Sequence, residues 1–145
     1  MIEKQFKIVG LGEVLFDVLP TGKMLGGAPA NFAYVATQLG NHGIIASLIG
    51  DDSDGKEILQ VIANKQVDIS FLQIDSEKST GIVNVKLENG QPNYEIVENV
   101  AWDVLELSDD WKELAETCDA VCFGSLAQRN LVSRSTIQSF VSLTN

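Results

Sequence analysis

The segment IIASLI, residues 44–49, restricts the fold more than any other, because so little polar alternation predicts a strand buried on both faces, as in a parallel sheet. The stretch before it, residues 32–39, repeats apolar side chains at helical spacing and ends at Gly40. Shorter apolar runs follow the pattern of strands at residues 7–11 and 120–123. Strands therefore alternate with helices, which predicts an α/β fold with a mostly parallel sheet.

A predicted hairpin interrupts this alternation. Residues 80–87 and 93–97 alternate apolar and polar side chains around Asn89-Gly90, and Asn-Gly between such runs is a strong hairpin signal. One face of a hairpin needs a partner, and residues 14–25 are the predicted one. Together these pieces would form a small sheet over one edge of the core, with lid segments at about 14–25 and 80–98. Residues 13–19 are expected to continue the first strand of the core.

The end of the sequence bears on the size of the domain. Ser108 is predicted to cap one helix, and Ser133 to cap a last helix that runs to the end of the sequence. Doubly wound sheets usually contain more strands than these residues supply. We therefore expect residues 1–145 to form a single, incomplete α/β domain.

Composition excludes several classes of protein. The formal net charge of −10 opposes binding to nucleic acid, and no apolar run is long enough to cross a bilayer. The N-terminus lacks the apolar stretch of a signal peptide, so we expect a cytoplasmic protein with no membrane partner. Cys118 and Cys122 are expected to be reduced side chains on a buried strand. With His42 as the only histidine, no metal site is predicted.

Familiar nucleotide and calcium motifs are absent or broken. Gly10 and Gly12 resemble the start of a dinucleotide fingerprint, but Leu15 stands where the third glycine would be. The sequence contains no Gly-Lys-Ser or Gly-Lys-Thr of a phosphate-binding loop. The aspartates in residues 51–54 lack the glutamate of a calcium loop, so they are interpreted as a solvated turn. The two tryptophans, Trp102 and Trp111, are expected to pack in the core.

Four residues are candidates for ligand binding. Gly26 and Gly27 precede a helix, where they let a ligand approach the backbone and the unpaired N–H groups of the first turn. Asn31 in that turn can both donate and accept, although it could equally be a cap in a plain loop. Asp17 lies among apolar neighbours, where a carboxylate needs partners such as sugar hydroxyls. An exposed aspartate at a sheet edge is the alternative.

The sequence also resembles a known family. Residues 26–55, GGAPANFAYVATQLGNHGIIASLIGDDSDG, closely resemble the first signature of the PfkB, or ribokinase-like, carbohydrate kinases. GEVLFDVLP at 12–20 and FGSLAQR at 123–129 are similar to the fructokinase subgroup, and residues 79–103 are similar to its lid hairpin and the segment after it. The resemblance covers essentially the whole chain. It implies a ribokinase-like, Rossmann-type core of three layers with a small β-sheet lid.

The resemblance implies roles for individual residues. Asp17 would hold sugar hydroxyls, and Gly26, Gly27 and Asn31 would line the sugar site. Tyr94 on the hairpin would face the sugar, and the lid would also form a homodimer contact.

The carboxyl end of a core strand supplies two further candidates. Ser125 and Arg129 lie there, where α/β sheets place their ligands. Family members use ATP and Mg²⁺ and carry the catalytic aspartate in a Gly-Ala-Gly-Asp motif, which this sequence lacks. No catalytic residue and no metal ligand is therefore expected in this chain.

The leading hypothesis is an ATP-dependent sugar kinase that phosphorylates a hydroxymethyl group, with fructose as the sugar. This chain would carry the sugar-binding part and be inactive alone. Kinases of 2-keto-3-deoxygluconate, ribose or nucleosides are the alternatives within the family. A non-catalytic module for sugar binding or dimerisation is another, and the broken fingerprint argues against a dehydrogenase half.

Overall fold

A computed structural model describes residues 5–145, which fold into two four-stranded sheets and four helices. In chain order the elements are β1 (Lys7–Leu11), β2 (Leu15–Leu19), β3 (Gly22–Gly26), α1 (Ala28–Gln38), β4 (His42–Gly50), α2 (Ser53–Ala63), β5 (Leu72–Asp75), β6 (Gly81–Glu88), β7 (Gln91–Ile96), α3 (Asp109–Thr117), β8 (Ala120–Phe123) and α4 (Leu131–Leu143). Two short 3₁₀ turns, Ala101–Val104 and Leu126–Arg129, precede α3 and α4. The core sheet has the order β5-β4-β1-β8, and all of its pairs are parallel.

The core sheet lies between two helical layers. Along β4 the side chains alternate between them, because successive residues of a strand point to opposite faces. Ile44 faces a cluster with Trp111 and Phe140, whose rings meet edge to face at 6.2 Å. Ile45 faces a second cluster that includes residues of α1 and α2. The predicted three-layer α/β core and its doubly buried strand at 44–49 are confirmed.

The second sheet joins residues from two distant parts of the chain in the order β3-β2-β6-β7. The β6–β7 hairpin turns at Asn89-Gly90, and β6 pairs in parallel with β2. The predicted hairpin and its predicted partner are therefore both confirmed. The expected continuation of β1 into residues 13–19 is wrong. Gly12 has a φ of +139° and ends β1, and the chain then enters the second sheet at Leu15.

The capping predictions have different outcomes. Ser108 is the N-cap of α3, and its hydroxyl accepts from the Trp111 N–H at 3.3 Å. The prediction for Ser133 is wrong, because Asn130 caps α4 and its side chain accepts from the Val132 N–H. Ser133 lies one turn further in and is fully buried. Its hydroxyl is needed elsewhere, since it satisfies backbone groups at the 3₁₀ turn 101–104.

The remaining structural predictions concern the tryptophans, the cysteines and the membrane. Trp102 and Trp111 are fully buried, as predicted. Both cysteines are free, but the prediction of a shared strand is wrong: Cys122 lies on β8, whereas Cys118 is the C-cap of α3. No helix in the described part of the chain is long and apolar enough to cross a membrane.

Candidate functional site

A cavity of about 300 Å³ lies between the second sheet and the first turn of α1. Most of its lining comes from one face of the sheet, and the helix contributes a single amide side chain. The lining residues are Asp17, Leu19, Met24, Leu25, Asn31, Val85 and Tyr94. Three of the residues predicted from the sequence as sugar ligands, Asp17, Asn31 and Tyr94, are therefore brought together here.

The period-two geometry of β2 places Asp17 on this side. Its neighbour Phe16 is buried against α2, and Asp17 points to the opposite face, beside Met24 of β3 and Val83 of β6. The carboxylate is half-buried, and it accepts no hydrogen bond from the described residues. Burial raises its pKa. A half-buried carboxylate without a partner is costly, so it is poised to accept hydrogen bonds from a polar ligand.

Gly26 and Gly27 shape the cavity without lining it. A Cβ at Gly26 would lie 2.5 Å from the Oδ2 atom of Asp17, so the missing side chain leaves room for that carboxylate. Gly27 is the N-cap of α1 with a φ of +103°, and a Cβ there would lie 2.5 Å from the carbonyl oxygen of Glu13. These glycines allow the close turn that places the first turn of α1 against the sheet.

Asn31 and Tyr94 face the cavity from opposite walls. The Asn31 N–H is used inside α1, where it donates to the Gly27 carbonyl at 2.9 Å. Its side-chain amide is exposed and makes no hydrogen bond to residues 5–145, so the alternative role as a helix cap does not apply. Tyr94 lies on β7 opposite Val85 and is 59% exposed. Both side chains have donors and acceptors available to a ligand.

Ser125 and Arg129 lie away from this cavity. Ser125 is exposed at the start of the 3₁₀ turn 126–129, after β8. Arg129 is half-buried, and its guanidinium group forms an ion pair with Asp103 at 2.8 Å and donates to the Val97 carbonyl at 2.6 Å. Neither residue contributes to the lining of the cavity that contains Asp17.

Glu13, a buried carboxylate close to the glycine pair, was not predicted from the sequence. Glu13 is 4% exposed, and its Oε2 atom has no hydrogen-bond partner among residues 5–145. Burial raises its pKa, and the nearby N–H groups of Ala127 and Ala28 and the charge of Arg129 oppose the rise. Like Asp17, Glu13 is a carboxylate next to apolar residues in the sequence, and that pattern is the signal by which it could have been found.

The acidic segment at 51–54 is not the solvated turn predicted from the sequence. Asp52 caps α2 by accepting from the Gly55 N–H, and its carboxylate also accepts from the Thr80 hydroxyl at 2.7 Å and the Thr80 N–H at 2.8 Å. Burial alone would raise the pKa of Asp52, but these hydrogen bonds outweigh it and lower the pKa. Asp54 pairs with Lys23 of β3. The segment therefore attaches the second sheet to the core.

The described residues contain no cluster of potential metal ligands. Within residues 5–145, no group of three or more His, Cys, Asp or Glu side chains is arranged to hold an ion.

Comparisons with known proteins agree with this architecture. A putative sugar kinase from Pyrococcus horikoshii is 29% identical in sequence over 92% of this chain and 47% of its own length. Its crystal structure superposes with a TM-score of 0.84 over 93% of this chain and 48% of the kinase chain. An ATP-dependent 6-phosphofructokinase from Thermoanaerobacterium thermosaccharolyticum is also 29% identical, over 96% of this chain and 46% of its own. A fructokinase structure from Halothermothrix orenii, 23% identical, shows the same fold with a TM-score of 0.84 over 94% of this chain and 52% of that one.

The chain spans about half the length of the curated relatives that it matches over most of its residues. Residues 7–138 match the family described as pfkB family carbohydrate kinase. Together with the ribokinase-like fold, this match shows that the chain belongs to the pfkB family of carbohydrate kinases.

Proposed function

We propose that this chain supplies the sugar-binding part of an ATP-dependent kinase that phosphorylates a hydroxymethyl group of fructose. The observation that carries the proposal is the carboxylate of Asp17, half-buried in a cavity of about 300 Å³ without a hydrogen-bond partner among the described residues. Such a carboxylate accepts hydrogen bonds from two neighbouring sugar hydroxyls.

The other lining residues suit the remaining surface of a sugar. The amide of Asn31 can donate to one ring or hydroxyl oxygen and accept from another hydroxyl. Leu19, Leu25 and Val85 offer apolar contact to the carbon side of the ring. These contacts would orient the sugar so that one hydroxyl faces the phosphoryl donor, and the second sheet would shield that hydroxyl from water.

The residues that bind the phosphoryl donor, and the residue that acts as catalytic base, would belong to other parts of the intact enzyme. In the pfkB family ATP is the donor, yet none of the 145 residues forms the Gly-Ala-Gly-Asp motif of the catalytic aspartate. Residues 5–145 also offer no cluster for Mg²⁺. We therefore expect no turnover by this chain alone, and we assign it no catalytic residue.

The charge of the cavity favours a sugar without a phosphate group. Relatives include fructokinases and a 6-phosphofructokinase, so the sugar class is open within the family. Among the described lining residues Asp17 is the one charged group, and it repels the phosphate of a sugar phosphate. Fructose is therefore favoured over fructose 6-phosphate, and the fructokinase relatives favour fructose over ribose, nucleosides and 2-keto-3-deoxygluconate.

The same face of the second sheet is the proposed site of a homodimer contact. Leu87, Tyr94 and Ile96 share this face by their register, and they are 66%, 59% and 38% exposed. Burying such a surface against a second copy removes apolar area from water. Sedimentation equilibrium should show dimers that Leu87→Glu converts to monomers; a monomeric parent chain would contradict the contact.

We place the protein in the cytoplasm, acting on a small sugar without a nucleic-acid partner.

Titration of the ¹⁵N-labelled chain with fructose tests the proposal. We expect shifts confined to residues around Asp17, Asn31 and Tyr94, and weaker binding in Asp17→Asn by roughly tenfold or more, because a hydrogen bond to a charged group contributes about 1.5–3 kcal/mol. Asp110→Asn, a change at an exposed residue of α3, is the matched control and should bind as the parent does. No shifts with fructose, or stronger binding of fructose 6-phosphate or ribose, would reject the assignment.

A further inference from the structure

The proposed sugar site is built from two parts of the fold whose relative position must be fixed. Asp17 and Tyr94 belong to the second sheet, whereas Asn31 belongs to α1, which packs on the core sheet. The sugar contacts both parts, so their separation sets the geometry of binding. Any group that fixes the β6–β7 hairpin to the core therefore influences the site from a distance.

Arg129 makes such an attachment at the end of the hairpin. Its Nη2 atom donates to the Val97 carbonyl at 2.6 Å, and Val97 directly follows β7. The same guanidinium group donates from Nε and Nη2 to the two carboxylate oxygens of Asp103, each at 2.8 Å. Asp103 also accepts from the Val100 N–H at 3.1 Å. One bidentate pair thus joins the end of the hairpin to both 3₁₀ turns.

The start of the hairpin rests on the same cluster. The Arg129 guanidinium lies over the Trp102 ring at 4.2 Å from the ring centre. The indole Nε1 atom of Trp102 packs against Gly81, the first residue of β6. A Cβ added at Gly81 would lie 1.9 Å from that nitrogen. Trp102 is fully buried, and its carbonyl accepts from the Ser133 hydroxyl at 2.8 Å. Both ends of the hairpin therefore contact the same cluster of Trp102, Asp103 and Arg129.

We propose that Arg129 and Asp103 are positioning residues of the sugar site, acting through the hairpin and not by contact with the sugar. The inference rests on the proposed function. Arg129 was predicted from the sequence as a ligand-binding residue, but its donors are directed to Asp103 and Val97, and it does not line the cavity with Asp17. By holding the hairpin to the core, the pair sets the position of Val85 and Tyr94 across the cavity from Asn31.

The test compares Arg129→Lys with Arg134→Lys in the 145-residue chain. Lysine keeps the charge but lacks the planar fork that joins three acceptors. Arg134 is the matched control, because its Nε atom donates to the Gln128 carbonyl, outside the hairpin. In Arg129→Lys we expect the amides of β6 to exchange hydrogen about fivefold faster or more, as for one lost hydrogen bond, with β4 unchanged. Fructose affinity should fall by a similar factor, while Arg134→Lys changes neither quantity.

Three outcomes would reject the inference. Unchanged exchange in β6 would show that the pair does not fix the hairpin, and faster exchange in β4 as well would show a general structural role. Faster exchange in β6 with unchanged fructose affinity would show that the hairpin position does not affect the site. If Arg129→Lys does not fold, Asp103→Asn, which keeps the side-chain shape, is measured for the same local pattern. If the parent chain binds no fructose, the proposed function fails, and the exchange data alone decide whether the pair fixes the hairpin.

Discussion

Replacing Gly26 by alanine probes the proposed site with one methyl group. The backbone of Gly26 is not in the left-handed region, so alanine meets no backbone strain there. Its Cβ would lie 2.5 Å from the Oδ2 atom of Asp17 and 3.2 Å from the Cδ1 atom of Leu15. Real Cβ atoms essentially never approach another atom within 3.0 Å, so the carboxylate must move by about 0.5 Å or more. The carboxylate is the mobile end of a side chain, and it can yield without moving the sheet.

Two opposing contributions predict a small effect of Gly26→Ala on stability and a large one on binding. Alanine in a strand gains about 0.5–1 kcal/mol over glycine, and a displaced Asp17 rotamer costs about 0.5–1.5 kcal/mol, so the free energy of unfolding should change by less than about 1 kcal/mol. A hydrogen bond from a sugar hydroxyl to a carboxylate is about 2.5–2.7 Å long, and a shift of this size breaks its geometry. Losing one such bond removes about 1.5–3 kcal/mol, which weakens fructose binding roughly 10- to 150-fold.

A double-mutant cycle separates this mechanism from a general disturbance. Fructose affinity is measured by NMR titration for the parent chain, Gly26→Ala, Asp17→Ala and the double variant, with thermal unfolding followed in each. If alanine at position 26 acts through the Asp17 carboxylate, it should have no further effect once that carboxylate is removed. Normal fructose binding by a folded Gly26→Ala variant would refute the assignment of Asp17. Equal losses in both backgrounds would show that the methyl group blocks the sugar directly.

Three further changes test other parts of the structure. Burial raises the pKa of Asp17 above its ordinary value. Its charge therefore destabilises the folded chain fully above the raised pKa, and this cost is lost as the pH falls below the ordinary aspartate pKa of about 3.9. Asp17→Asn should melt slightly higher than the parent at pH 7 and equally near pH 3, and a lower melting temperature at pH 7 would contradict this sign. Gly81→Ala should lower stability by about 1–3 kcal/mol or more in urea unfolding, because a Cβ 1.9 Å from Nε1 must displace the buried Trp102; an unchanged midpoint would be incompatible with this contact. Thr80→Val should cost about 1–3 kcal/mol, since it removes the hydroxyl that bonds to Asp52, whereas Thr117→Val on the exposed end of α3 should cost less than about 1 kcal/mol.

Periodicity was sufficient to predict most of the fold. Residues 44–49 have no polar face, and the structure places them in β4 between two helical layers. Asn89-Gly90 predicted the hairpin turn because both positions need a positive φ, and they adopt +52° and +78°. The break at Gly12 was missed, because the apolar pattern on its two sides does not reveal that two different sheets are involved.

Contacts between distant residues could not be predicted in this way. Asp52 and Thr80 are 28 positions apart, and Asp103 and Arg129 are 26 apart, so no local pattern relates the members of either pair. Arg129 lies at the carboxyl end of a core strand, where ligands often bind, and that general rule favoured a role in the site. Arg129 instead pairs with Asp103, because the Asp103 side chain is 3% exposed and a buried carboxylate needs a charged partner.

The signature segment combines two tasks that the sequence alone does not distinguish. Gly26 and Gly27 leave space at the cavity, next to Asp17 and Glu13. Gly50, further along the same signature, leaves space where a Cβ would be 2.7 Å from the Thr80 nitrogen, at the start of the hairpin. The segment therefore shapes the cavity at one end and seats the hairpin at the other. A substitution at Gly50 should accordingly alter fructose binding, although Gly50 does not contact the sugar. This effect would show that the position of the hairpin affects the site, as expected if Arg129 and Asp103 act as proposed.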